Sequence, residues 1–290
     1  MTTVTTLAPA KVNLFLHVGP VDGEGYHPLA SLVAFADVGD RVTARRAEAL
    51  SLKVEGPFAA GLDGDADNLV LRALRALGDG EPGLALTLEK ALPIAAGLGG
   101  GSSDAGAALR LAGGLMEGVT VADLVAAAAT VGADGPMCLY PRSAWAEGRG
   151  ERLEVEPRLP PLHAVLVNPR APSSTGAVYR AYDAGSVAQA DRPEPPSDWS
   201  PAAVIDWLGR QRNDLEVPAL TLQPAILPAM QAVARSRGVG LARMSGSGAT
   251  VFGLFVDPAA ADEAARRLSA DHGDWWVVRT VLGGDLAAEL

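Results

Sequence analysis

Residues 93–109 read PIAAGLGGGSSDAGAAL. Five glycines fall between residues 97 and 106, around Ser102, Ser103 and Asp104, and an alanine-rich run follows. Three readings compete: a tight turn with an ordinary helix cap, a helix start built around an anion, and a dinucleotide fingerprint. A Walker A loop needs Gly-x4-Gly-Lys-Ser/Thr, and no lysine follows these glycines. A Rossmann fingerprint begun at Gly97 needs glycine at position 102, where Ser102 stands. The physical content survives both failures. Upstream, LALTLEK alternates and predicts a strand over 84–90. Downstream, a helix fits 103–116. The glycines between can take positive φ and let backbone approach a ligand closely. Ser102, Ser103 and Asp104 suit a cap or a first turn. The helix start adds free N–H groups and about half a positive charge. A glycine-rich backbone leading into a helix is an anion cradle. The two hydroxyls can donate to phosphate or ligate Mg²⁺, and Asp104 is expected to point away, supporting the helix dipole.

Bulk composition narrows the class. The chain has 290 residues, of which 48% are apolar and 5% aromatic. That length suits two domains with aliphatic cores. The net charge of −10 argues against nucleic acid or an anionic membrane as partner. A small anion remains allowed, because local dipoles can outweigh a diffuse charge. The single cysteine, Cys138, excludes an internal disulfide framework and fits a reducing cytoplasm; its apolar setting PMCLY reads as core. No signal-peptide pattern and no spanning apolar run are visible, so the chain reads as soluble and cytoplasmic.

The pattern along the chain predicts two units. Residues 12–18 alternate as a half-buried strand, and strands recur near 50–54. DNLVLRALRAL has helical spacing, a second helix fits 121–131, and SAWAEGRGERLEV reads as a hairpin around Gly148–Gly150. From residue 162 the predicted order is strand, helices (174–184 and 222–237), strand, strand, helix, strand. That is the order of a split β-α-β, ferredoxin-like sandwich. Residues 191–201, DRPEPPSDWSP, read as an exposed loop. The chain therefore divides into an α+β domain over 1–158 and a ferredoxin-like domain over 159–290, with a ligand cleft between them.

Three further features invite a functional reading. Only three lysines occur, against 21 arginines, and Lys11 stands in APAKVNL. Lysine suits a phosphoryl or carboxylate contact as a compact charge, but a solvated strand-end lysine fits as well. Asp134, in VGADGPMCLY, sits between glycines and Pro136 on constrained backbone; an Asx-type turn explains it equally. Tyr26 and His27, in VDGEGYHPLAS, could stack on and hydrogen-bond a base, or the tyrosine could pack under its own loop.

Taken together these segments resemble the GHMP kinases, which lack a Walker A loop. The matching stretches are APAKVNLFLHV, DGEGYHPLASL, GLGGGSSDA, GADGP, AWAEGRGE, RNDLE and MSGSGA, in that order from residue 8 to 249. Within the family, the triple glycine and the GYH loop are similar to members whose acceptor alcohol carries a cytidine diphosphate. The resemblance implies a ribosomal-S5-domain-2-like α+β domain followed by a ferredoxin-like α/β sandwich, with the active site in the interdomain cleft. It implies transfer of a phosphoryl group from ATP, with Mg²⁺, to the 2-hydroxyl of that acceptor, in non-mevalonate isoprenoid precursor synthesis. Lys11 and Asp134 match the catalytic pair, with Asp134 as base. Pro93, Ile94, Ala95, Ala96, Gly97, Leu98, Gly99, Gly100, Gly101, Ser102 and Ser103 match the ATP-phosphate segment. Asn13, Tyr26 and His27 match the acceptor side, and Tyr179 matches a second aromatic that sandwiches the cytosine with Tyr26. Gly246, Ser247 and Gly248 match a third motif near the phosphates, and Ser103 is the candidate metal ligand. Gly106 stands where the resemblance leads one to expect alanine, and should weaken its helix by about 1 kcal/mol or less. The alternatives are a kinase for another alcohol of the homoserine or mevalonate type, a nucleotide-binding relative without transfer, and an RNA-binding protein, which the charge disfavours.

Overall fold

This computed structural model describes residues 2–60, 62, 67–78, 83–185 and 188–284. Ten strands and nine helices occur among them. The organising strand is β2 (Leu29–Arg46). Strand β1 (Thr3–Val18) runs antiparallel along one of its edges. The other edge is shared in turn by β5 (Ala144–Gly148) at residues 29–33, β10 (Trp276–Leu282) at Ala36, and β4 (Leu84–Glu89) at residues 41–46. β3 (Ser51–Glu55) extends β4 in parallel, and β6 (Arg152–Val155) closes the predicted hairpin with β5.

β2 is longer than its sequence suggests. Val38-Gly39-Asp40 resembles a turn, yet the strand continues through it, and β1 shifts register opposite, between Pro9 and Lys11. Three helices cover one face of this half: α1 (Leu69–Arg75), capped by Asn68, α2 (Gly100–Leu115) and α3 (Val121–Ala129). Alanines 105, 107, 108 and 112 let α2 lie close against Val42, Leu86 and Leu88. A short helix α4 (Gly135–Leu139) packs on α2.

The second half bears out the ferredoxin-like expectation. β7 (Leu162–Asn168), β8 (Val239–Met244), β9 (Val251–Phe255) and β10 form an antiparallel sheet in the order β10-β7-β9-β8. Counted within this half, that is fourth-first-third-second. Helices α8 (Ile226–Ala234) and α9 (Pro258–Asp271) cover the sheet; α5 (Thr175–Asp183), α6 (Pro201–Gly209) and α7 (Glu216–Leu222) fall between β7 and α8. The helix expected over 222–237 starts at 226 because Pro224 forces Gln223 out of helical backbone, at φ −131°.

Residues 12–18 are not half-buried. Both faces are closed, Asn13 and His17 included, because the second half covers the face that a solvated edge would leave open. Phe252, Leu254, Val204 and Leu208 join Val12, Leu14 and Phe15 in one core. Residues 191–200 lack regular structure, as expected, while Pro201 already begins α6; the loop is tied down, with Arg192 paired to Glu154 at 2.6 Å and the Asp191 carbonyl 2.8 Å from His17 Nδ1.

Candidate active site

The loop between β4 and α2 makes the cradle. Gly97 and Gly99 take the left-handed conformation, at φ 74° and 61°. Gly99 caps α2 with no side-chain bond, so the helix begins inside the glycine run rather than at the serines. A Cβ on Gly97 would lie 2.3 Å from the Ser245 carbonyl, so this loop closes against the second half only as glycine. Two bonds stitch the contact, Thr250 N–H to Ala96 O at 3.0 Å and Ser245 Oγ to Gly97 O at 2.9 Å, and Lys11 N–H to Leu98 O at 2.8 Å ties the loop to β1. The first N–H groups of α2 have no carbonyl within the helix and face a cavity of about 620 Å³.

Residues 93–102 all line that cavity. Ser103 does not. It is fully buried, and its hydroxyl donates to the Pro9 carbonyl at 2.7 Å, which corrects its reading as a metal ligand. Asp104 also differs from expectation. It is the fifth helical residue, buried, and shares the Lys90 ammonium (2.8 Å) with Asp40 (2.5 Å). Burial alone would lower the Lys90 pKa, but Asp104 and Asp40 outweigh it and hold the ammonium above its usual value. Burial, with the Asp40 charge, raises the Asp104 carboxyl well above the carboxylate range despite Lys90. Asp40 also accepts from the Ala91 and Leu92 N–H groups, so this cluster fixes where β4 ends and the cradle begins. Nothing in the sequence pattern brings Asp40 to it; the rarity of lysine was the available signal.

Beside the cradle, next to Gly99, Lys11 Nζ lies 2.9 Å from Asp134 Oδ2. Lys11 is buried, while the Asp134 side chain is 36% exposed and lines the cavity. Asp134 occupies the cap position of α4 but makes no side-chain cap bond, which removes the turn reading. Lys11 also donates to Asn13 Oδ1 at 3.1 Å, and Asn13 Nδ2 donates to Ser31 Oγ at 2.8 Å. The ammonium therefore has a fixed direction. Arg110 holds α4 in place, donating to the Cys138 and Leu139 carbonyls and to Leu7 O on β1.

From the second half, Gly246 and Ser247 reach the cavity. Gly248 sits behind them, its nitrogen 2.9 Å from where a Cβ on Gly97 would stand. Asn213 donates to Met244 O (2.8 Å) and Gly246 O (2.9 Å) and so shapes this loop. Its segment, RNDLE, was legible as a motif but not as a support. Tyr179 lines the cavity, and burial, then the Asp134 charge, push its phenol up to about 12. His27 packs against Tyr179 with ring centroids 5.1 Å apart, its Nδ1 2.9 Å from Gly19 O. Tyr26 is 53% exposed, and the Arg149 guanidinium lies 3.9 Å from its ring centroid.

An anion cradle, a buried lysine aimed at an accessible carboxylate, and a second glycine turn from the other half meet at one cavity. The family models agree with this geometry: the GHMP kinase N-terminal domain matches residues 68–142 and the C-terminal domain residues 202–274. The chain belongs to the GHMP kinase family. It is 53% identical over 285 residues to the 4-diphosphocytidyl-2-C-methyl-D-erythritol kinase of Caulobacter sp. (strain K31), covering 96% of this chain and 97% of that protein. A crystal structure of 4-(cytidine 5'-diphospho)-2C-methyl-D-erythritol kinase superposes with TM-score 0.75 at 36% identity, over 97% of this chain and all of that one. Homoserine kinase from Cytophaga hutchinsonii, at 18% identity and TM-score 0.61, covers 97% of this chain and 94% of its own and shares the fold. Among the described residues of this GHMP kinase, no helix is long and apolar enough to cross a membrane.

Proposed function

We propose that this GHMP kinase transfers the γ-phosphoryl group of ATP to the 2-hydroxyl of 4-diphosphocytidyl-2-C-methyl-D-erythritol. The observation that carries the reading is the Lys11–Asp134 pair at 2.9 Å, which lines the same cavity as the anion cradle and lies beside its Gly99. The N-terminal unit, residues 1–158, supplies the cradle and the pair. The C-terminal unit, residues 159–290, supplies the third motif and Tyr179.

The ATP phosphates lie along residues 93–102, on the N–H groups of the loop and of α2. Asp134 takes the proton of the acceptor hydroxyl, a general-base role that contributes roughly 10²–10⁴-fold. Lys11 offsets charge on the phosphoryl in flight. Phosphoryl transfer through a loose transition state depends chiefly on positioning and charge stabilisation. The chain of bonds from Lys11 through Asn13 to Ser31 therefore matters as much as basicity. Asn13, His27, Tyr26 and Tyr179 form the acceptor side.

Mg²⁺ fits this site as a passenger on the nucleotide. Among the described residues there is no cluster of three or more His, Cys, Asp or Glu side chains to cage an ion. Mg²⁺ ordinarily keeps waters and binds through phosphates with one or two protein oxygens. Ser102, which lines the cavity within the cradle, is the side-chain oxygen that would hold it. When bound it would neutralise charge on the β- and γ-phosphates.

The test is ³¹P NMR of purified protein with Mg-ATP and, in parallel, the cytidyl acceptor, mevalonate and homoserine. A new phosphomonoester with the cytidyl acceptor alone is the expected result. Turnover of another alcohol instead, or of none, would overturn the assignment.

A further inference from the structure

Among the described residues, three cations line the cavity: Lys11, Lys90 and Arg149. Their partners differ in kind. Lys11 is set against Asp134, and Lys90 lies between the buried Asp40 and Asp104. Arg149 instead pairs with two carboxylates on the loop that carries Tyr26: Asp22 at 3.1 Å and Glu24 at 2.5 Å. The Glu24 side chain is 73% exposed and that of Asp22 39%.

We propose that Arg149 is the acceptor's diphosphate-recognition residue, exchanging Asp22 and Glu24 for phosphate oxygens when the acceptor binds. This rests on the acceptor reading above and assigns its anionic part. Placement supports it. Arg149 sits in the β5–β6 turn, where a Cβ on the neighbouring Gly150 would lie 3.6 Å from the Ala133 Cβ, one residue from Asp134. Its guanidinium rests over Tyr26. A diphosphate joining a base at the aromatics to a hydroxyl at Asp134 passes between these two points.

Charge supports it as well. The chain carries a net charge of −10 and must hold a dianionic linker beside carboxylates. Breaking the Lys90 cluster would strand buried charges. Releasing Arg149 returns two exposed carboxylates to water, and exposed pairs contribute little. Arginine's planar fork matches two phosphate oxygens at once. Asp22 has a second task that it keeps after the exchange: its Oδ1 accepts from the Glu24 and Tyr26 N–H groups, both at 2.9 Å, and holds the loop in shape.

The test is calorimetric titration, without ATP, of CDP and of cytidine into the wild type, Arg149→Ala and Glu24→Gln. Arg149→Ala is expected to weaken CDP at least tenfold and leave cytidine within twofold. Glu24→Gln, which removes a competitor, is expected to tighten CDP about threefold. If Arg149 merely tied the turn to the loop, both variants would weaken both ligands, and that result would overturn the proposal. Unchanged CDP affinity in Arg149→Ala would overturn it too, while leaving the acceptor reading standing. Failure of the wild type to bind either ligand would instead remove the acceptor reading, and the proposal with it.

Discussion

Cys138 lies fully buried in α4, and burial, then the Asp134 charge, push its thiol up to about 12. Two consequences follow at the scale of this residue. The native thiol should not react with a disulfide reagent at pH 8, and labelling should appear only with unfolding. Stability should also fall in alkali. The folded pKa lies above the unfolded one, so protection is complete below about pH 9 and is lost as pH rises towards 12. At pH 10 the loss from this group is on the order of 1 kcal/mol. Urea midpoints at pH 8 and pH 10 measure it, and Cys138→Ala should show a smaller drop. The burial of Cys138 was readable from its apolar neighbours. The roles of Lys11 and Asp134 were not decided by their own surroundings, since a strand-end lysine and a turn aspartate fit the same letters. What decides is a contact between residues 123 positions apart, which local pattern does not encode.

At the scale of elements, α2 is the part on which the site depends, and Gly106 shows why. Its absent side chain was expected only to weaken the helix. In the structure a Cβ there would lie 2.3 Å from the Cys138 carbonyl, because α4 crosses α2 at this point. Gly106→Ala should therefore destabilise the protein by about 1–3 kcal/mol, the range for overpacking, rather than stabilise it through helix propensity. Because Asp134 stands at the cap position of α4, the same change should lower kcat more than it raises the KM for ATP. Thermal denaturation and steady-state kinetics check the two parts; a stabilised, fully active variant would refute the packing argument. Strand β4 and helix α3 were legible from period and spacing. The start of α2 was not, because the cap is a left-handed glycine rather than a serine. The length of β2 was hidden by Gly39-Asp40, and Asp40 turns out to be buried beneath Lys90.

At the scale of the molecule, the two halves fold around shared interior. One core joins Val12, Leu14 and Phe15 to Phe252, Leu254 and Leu208, and β10 touches β2 at Ala36. Each fully buried side chain of this kind contributes about 1.5–3 kcal/mol, so separating the halves would forfeit several such contributions. Urea unfolding should then be a single transition, with tryptophan fluorescence and far-UV circular dichroism coincident. Two resolved transitions would mean that the halves are energetically independent. The βαββαβ order of the second half was legible because each element is short and regular. The covering of β1 was not, since alternation in one strand carries no information about what a distant segment lays on its other face. This joint architecture brings Lys11 and Asp134 beside the cradle, where the proposed transfer would take place. The most direct measurement is the single-turnover rate of phosphoryl transfer in Asp134→Asn and Lys11→Met, with both substrates at saturation and their affinities measured in parallel. The account predicts a loss of at least about 10²-fold in rate for each, with both affinities within a few-fold of wild type. Transfer at the wild-type rate in either variant would contradict it.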